Sequence, residues 1–116
     1  MDLILHVNAG AYPIEAANVR HEHEWRIWER VTLPAGEILA PGVATHHTTT
    51  VEHPRLVAER IVRFARLVGR ENVIASTDCG FAQVETLARV HPQVMWAKFE
   101  SLAEGPRLAS KELWGR

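Results

Sequence analysis

Short apolar runs in this chain are separated by longer segments in which apolar residues recur at helical spacing. The runs predict three strands, at 11–17, 37–44 and 73–76. The segment between the second and third runs predicts the clearest helix, because it carries a one-sided apolar stripe made of Val57, Ile61, Phe64, Ala65 and Val68. Pro54 suits the first turn of this helix, and Gly69 suits the position just past its end.

Weaker helical patterns complete the alternation. They predict helices at 21–31, 82–90 and 94–114, the last with a break at Gly105-Pro106, and the end of a helix at 3–7. The order is βαβαβα with strands roughly 30 residues apart, which predicts parallel strands joined by right-handed crossovers. The predicted fold class is therefore α/β, either a small open sheet or one segment of a (β/α)₈ barrel.

Polar side chains stand at the carboxyl end of each predicted strand. They are Glu15 and Asn18, then Thr45, His46 and His47, then Asp78 and Cys79. Carboxyl ends of parallel strands meet at one edge of a sheet, so these side chains are expected to converge, as a metal or catalytic site requires. Cys79 is the only cysteine and has no disulfide partner within the chain. It is therefore a buried small residue, a nucleophile or a metal ligand.

Composition narrows the class of protein. The chain has 116 residues, 47% of them hydrophobic and 23% charged, and a net charge of −1. These values are typical of one globular domain or part of one, and they argue against a nucleic-acid or anionic membrane partner. No apolar run approaches the length of a membrane span, and the N-terminus lacks a signal-peptide pattern. With one cysteine, we expect a cytoplasmic location.

Two blocks of sequence are distinctive, Arg-His-Glu-His-Glu-Trp at 20–25 and Thr-Asp-Cys-Gly-Phe at 77–81, and shorter matches at 41–43, 51–54 and 70–74 support them. Together they resemble the C-terminal part of the cobalamin-independent methionine synthase superfamily, in its branch of methionine synthase II-like or epoxyalkane:coenzyme M transferase proteins. The resemblance implies a (β/α)₈ barrel that carries a zinc ion and activates a thiol for alkylation. It implies that residues 1–116 form a single partial domain, the last three βα units of that barrel.

The resemblance also implies roles for individual residues. Cys79 matches a zinc ligand that binds as thiolate, and Glu15 matches a carboxylate ligand that also meets the substrate. His46 or His47 falls where the family places a proton-handling histidine, and the register between these two stays open. Asp78 is expected either to orient Cys79 or to contact the substrate.

One departure from the family pattern is evident. The family's other two zinc ligands form a His-x-Cys pair on the strand before the glutamate strand, and no such pair exists here. The chain is therefore expected to begin after that strand and to offer an incomplete zinc site. Its expected partners are a small thiol, a methyl or alkyl donor, and either a second copy of itself or an upstream half of the barrel.

Three functions remain open. The first is zinc-dependent methyl or alkyl transfer to a homocysteine-like thiol. The second is an enzyme on the same scaffold without zinc, similar to the porphyrinogen decarboxylases. The third is a non-catalytic barrel fragment or partner subunit. The roles of two features that follow Glu15 also stay open. Arg20 could form a salt bridge or bind a substrate carboxylate, and the polar run 21–24 could begin a helix or contact the substrate.

Overall fold

A parallel three-stranded sheet lies at the centre of the computed structural model, which describes residues 2–84, 87–88 and 90–116, without the side chains of 2, 82–84, 87 and 88. Its strands are β1 (Ala11–Ile14), β2 (Ile38–Ala44) and β3 (Ser76–Thr77). They lie in the order β1-β2-β3, so β2 is the central strand and both of its neighbours run parallel to it. This arrangement confirms the predicted α/β class, the parallel strands and their adjacency in chain order.

Helical segments connect the strands. The described helices are α1 (Asp2–Leu5), a 3₁₀ helix at Glu22–Glu29, α2 (Pro54–Val68), a 3₁₀ turn at Arg70–Asn72 and α3 (Pro92–Trp114). The segment predicted as an α-helix at 21–31 is thus the tighter 3₁₀ form. Within the described part of the chain, no helix combines the length and hydropathy that crossing a membrane would require.

Helix α2 has the boundaries that its sequence predicts. His53 has extended backbone angles, and its side chain accepts a hydrogen bond from the amide of Arg55, so it caps the helix start beside Pro54. At the other end, Gly69 has a φ of 101°, a conformation that residues with a Cβ rarely adopt. The helix therefore ends where only glycine continues the chain without strain.

The core forms where α2 packs on one face of β2. Leu39 and Val43, four residues apart on that face, are both fully buried. Leu39 joins a cluster with Tyr12, Trp28 and Phe64, whereas Val43 joins the α2 stripe and Ala109 of α3. Ala40, Gly42 and Ala44 alternate with these residues along β2, face the other way and are small.

The prediction of a helix at 82–90 is wrong. The chain forms two short antiparallel strands there, β4 (Ala82–Val84) and β5 (Leu87–Ala88), while Glu85, Thr86 and Arg89 lie outside the described residues. A short apolar run of this length fits helix and strand periodicity equally well, so local pattern could not separate the two.

The predicted helix break at Gly105-Pro106 is also absent. Helix α3 continues through both residues, although Pro106 removes one backbone donor from its ladder. A Cβ on Gly105 would lie 2.2 Å from Cγ1 of Val57, so the backbone of α3 lies directly against α2 at this point. Close packing of the two helices thus fixes the path of α3 past the proline.

Candidate metal centre

The carboxyl ends of the three parallel strands bring the predicted site residues together. Glu15 follows β1 directly, His46 and His47 follow β2 after one residue, and Asp78 and Cys79 follow β3. One donor atom each from Glu15, His46 and Cys79 lies within 4.8 Å of the others. We call these three residues the donor cluster. The prediction that Glu15, a histidine and Cys79 share one sheet edge is confirmed.

Asp78 organises the backbone around the cluster. Its Oδ1 accepts hydrogen bonds from the amides of Ala16 and Ala17, both at 2.9 Å, and its Oδ2 accepts one from the side chain of Asn18 at 3.0 Å. These bonds explain why β1 ends at Ile14 and not at the predicted Ala17, because the next amides pair with a carboxylate instead of a neighbouring strand. The carboxylate is almost fully buried. This geometry favours an orienting role for Asp78 over substrate contact.

Gly42 makes this arrangement sterically possible. The amide of Asp78 donates to the carbonyl oxygen of Ala44 at 3.0 Å, which draws the end of β3 against β2. A Cβ on Gly42 would lie 2.1 Å from Oδ1 of Asp78 and 2.8 Å from its Cα atom. A side chain at position 42 could not tolerate these distances. Glycine is therefore needed for β2 and Asp78 to approach closely, and this approach places Cys79 next to Glu15.

Glu15 links the cluster to its surroundings. Its Oε1 accepts a hydrogen bond from Sγ of Cys79 at 2.9 Å, and its Oε2 accepts one from Nδ2 of Asn18 at 3.0 Å. His21 Nε2 lies 3.8 Å from the same Oε2, while its Nδ1 lies 3.0 Å from Glu24. The polar run 21–24 therefore borders the cluster through His21, a proximity that sequence spacing alone did not predict.

The protonation of the cluster follows from the contact between Glu15 and Cys79. The hydrogen bond from Cys79 lowers the pKa of Glu15, with smaller contributions from Asn18, His46 and His21 against the opposing effect of burial. The same bond raises the pKa of the Cys79 thiol, and burial and the charges of Glu15 and Asp78 raise that pKa further. Without a metal, the cluster therefore pairs a carboxylate with a protonated thiol.

Glu15→Gln is expected to lower the pKa of Cys79 toward its ordinary value of about 8.5, because the substitution removes the negative charge beside the thiol. The folded thiol keeps its proton to higher pH than the unfolded one. Its hydrogen bond therefore stabilises the fold below that ordinary pKa, and the stabilisation is lost as pH rises through the folded pKa. The pH dependence of Cys79 alkylation by iodoacetamide, measured with chelator present, checks the shift. Glu24→Gln is the control, since Glu24 pairs with His21; identical profiles for all three proteins would contradict the assignment.

The two histidines occupy different positions. His46 is 1% exposed and belongs to the donor cluster, whereas His47 lies on the wall of an adjacent cleft. Their ring centroids are 3.9 Å apart. His46 therefore lies among the possible metal donors, whereas His47 borders the space of the cleft.

A cleft of about 660 Å³ opens beside the cluster. Asn18 and His47 line it, and each also touches the cluster, Asn18 through Glu15 and His47 through His46. Arg20 reaches the same wall, and no ion pair of Arg20 is found among the described residues. The cleft therefore combines an apolar lining with a guanidinium next to a group of soft and hard metal donors.

No protein-family model and no curated protein sequence matches the chain. Among solved structures, it is similar to a B12-independent methionine synthase from Shewanella sp. W3-18-1, determined in complex with selenomethionine. The TM-score is 0.78 at 20% sequence identity, and the match covers 98% of this chain. The chain shares its fold with part of a methionine synthase. It spans 30% of the length of that enzyme, and the likeness places its parallel strands in the predicted barrel architecture.

Sequence reasoning missed two charged residues near this site. Glu52 is buried at the end of the segment that carries the histidines, and Lys98 is buried behind that segment. Glu52 falls in the 51–54 block but received no role there, and a lysine on an amphipathic helix ordinarily lies in solvent. Only the three-dimensional packing of α3 reveals them.

Proposed function

We propose that this chain is the C-terminal portion of a zinc-dependent thiol alkyltransferase of the methionine synthase type. The observation that carries the proposal is the donor cluster of Glu15, His46 and Cys79 at the carboxyl edge of a sheet with the methionine synthase fold. Residues 1–116 would then supply the last three βα units of the barrel. The transferred group would be a methyl or other alkyl group, and the acceptor a homocysteine-like thiol.

The donor set fits zinc. Cysteine sulfur, histidine nitrogen and carboxylate oxygen are the ligands that Zn²⁺ takes in proteins. Catalytic zinc sites use three protein ligands and keep one position open, so the three donors found here are enough to hold an ion weakly in this chain alone. In the complete barrel, the resemblance implies that a His-x-Cys pair from the upstream part would join Glu15 and Cys79. When bound, zinc favours the deprotonated form of a coordinated thiol at neutral pH, so that a thiol substrate becomes nucleophilic.

The residues of this chain would divide the remaining tasks. Cys79 and Glu15 would hold the ion together with His46, and Asp78 would keep Cys79 in place through its bonds to the β1 end. His47 would accept or return the proton of the substrate thiol from the cleft wall. Arg20 would pair with an acidic group of the substrate.

The neighbouring enzyme supports the substrate class. Its structure holds selenomethionine, the selenium analogue of methionine, which is the thioether amino acid that methylation of homocysteine yields. The cleft of this chain adjoins the cluster, so a thiol bound at the cluster could extend its acidic end toward Arg20.

A non-catalytic fragment or partner subunit is the second candidate. The observation in its favour is that the chain spans 30% of the similar enzyme and contains one cysteine. In that case the cluster would bind zinc weakly and contribute ligands only within a larger assembly. Both candidates predict no methyl transfer by the isolated chain. They differ for the completed barrel, where the first requires methyl transfer and the second excludes a catalytic contribution from this chain.

Titration of the reduced chain with Co²⁺, a spectroscopic substitute for zinc, tests the proposal. We expect saturable binding at one ion per chain with a thiolate-to-metal charge-transfer band from Cys79, which intensifies when homocysteine adds a second sulfur. Homoserine, which carries a hydroxyl in place of the thiol, is the matched control and should leave the band unchanged. With three protein donors, zinc should be lost on dialysis against a chelator. Absence of the band, or an equal response to homoserine, would refute the assignment.

A further inference from the structure

Lys98 is a fully buried charge on α3. Its Nζ donates to Oε1 of Glu52 at 2.8 Å and to the carbonyl oxygen of Thr50 at 2.7 Å. Lys98 is 0% exposed and Glu52 is 6% exposed, so both charges have left water. A buried charge is costly unless it is paired and hydrogen-bonded, and here both conditions are met.

The second oxygen of Glu52 returns to the start of the same segment. The amide of Thr45 donates to Oε2 of Glu52 at 2.7 Å. Lys98 and Glu52 therefore hold segment 45–52 at two backbone points, the amide of Thr45 and the carbonyl oxygen of Thr50. The backbone between these points carries His46 and His47, and the amide of His47 donates to Oγ1 of Thr45 at 3.2 Å.

The location of the pair indicates what it does. Segment 45–52 forms a wall of the cleft, and Lys98 supports that wall from behind, because Glu52 and Thr50 line the cleft whereas Lys98 has no exposed surface. A buried ion pair contributes little net stability compared with well-packed apolar residues of similar volume. Its distinctive property is that its hydrogen bonds are directional. The ammonium N–H groups donate, and the carboxylate oxygens accept, only where a partner lies at a defined position.

We propose that Lys98, acting through Glu52, is a positioning residue of the donor cluster. It fixes the backbone of segment 45–52 so that His46 stays within reach of Glu15 and Cys79 while His47 faces the cleft. This inference rests on the proposed function only for its metal-binding consequence. The fixing of the segment is a property of the fold and can be measured without metal.

Amide hydrogen exchange of the metal-free wild-type chain is the first measurement. Thr45 is expected to exchange slowly, because its amide is bonded to a buried carboxylate. Lys98→Met, which keeps the apolar stem and removes the ammonium group, should speed exchange at Thr45 and His46. If the amide of Thr45 in the wild type exchanges as fast as a solvent-exposed amide, the proposal is overturned. This measurement does not depend on whether any variant folds.

Metal affinity is the second measurement, by Co²⁺ titration. Lys98→Met should weaken binding by roughly 10–100-fold, the usual effect of losing a partner outside the ligand shell. The Cys79 charge-transfer band should persist while the d–d bands change, since the thiolate stays and the histidine is displaced. A folded Lys98→Met chain with wild-type affinity and spectrum overturns the proposal.

Two further variants separate positioning from packing. Glu52→Gln combined with Lys98→Met leaves no unpaired buried charge and still offers an amide oxygen to the amide of Thr45, so the affinity should recover to within a few-fold of wild type; no recovery counts against the proposal. Glu112→Gln removes the exposed pair with Arg66, which also joins α2 and α3, and should leave affinity and Thr45 exchange unchanged. If the wild type shows no charge-transfer band, the proposed function fails while the exchange measurement still decides the role of Lys98.

Discussion

Replacing Cys79 with serine is expected to abolish tight zinc binding in the complete enzyme and to remove most of the weaker zinc affinity of this chain alone. The serine hydroxyl stays protonated near neutral pH and offers zinc no thiolate, while its size leaves the neighbouring contacts in place. The loss should exceed the roughly 10–100-fold caused by removing a residue outside the ligand shell. Competition titration of zinc against a coloured chelator measures the affinity.

His91→Asn is a suitable control for this loss. His91 caps α3 by accepting a bond from the amide of Gln93, is exposed and lies outside the donor cluster, and asparagine can also cap. We expect the control to bind zinc as the wild type does. Affinity should rise with pH for the wild type, because the proton of Cys79 must leave before the sulfur binds. Equal zinc affinity for Cys79→Ser and the wild type would exclude Cys79 as a ligand and remove the basis of the proposed function.

The isolated chain is expected to self-associate or to be only marginally stable, and to lack methyltransferase activity alone. In the described part of the chain, β1 and β3 each pair with β2 on one side only, so a strand edge lies open at both ends of the sheet. Apolar surface is exposed beside the β3 edge, where Ile74 is 55% exposed. Each such side chain left in water forgoes about 1.5–3 kcal/mol, which is large against the stability of a small domain.

Sedimentation analysis combined with thermal unfolding tests this expectation. Ile74→Lys should shift the chain toward monomer, because it places a charge beside the β3 edge. Leu3→Lys, at an exposed apolar position on α1 and outside the three strands, is the control and should change association less. A monomer at micromolar concentration that melts cooperatively above about 60 °C would show a self-sufficient domain and contradict the half-barrel interpretation.

The sequence by itself determined the arrangement that creates the site. Apolar runs at regular spacing predicted three parallel strands, and polar residues after each run predicted one functional edge, where Glu15 and Cys79 do meet. The limits of α2 were also readable, since His53, Pro54 and Gly69 act through local backbone geometry. These features depend on residues close together in the chain, which is why pattern and spacing were sufficient.

Only the tertiary structure decided which partner each polar group takes. Whether His46 or His47 joins the cluster depends on how the chain leaves β2, and that path is set by bonds from Glu52 and Lys98, which lie 46 residues apart. Asp78 likewise ends β1 through contacts more than 60 residues away. The antiparallel pairing of β4 with β5 and the unbroken α3 follow the same rule. Local propensity is worth a fraction of a kcal/mol per residue, so long-range packing and the pairing of buried polar groups override it wherever the two differ.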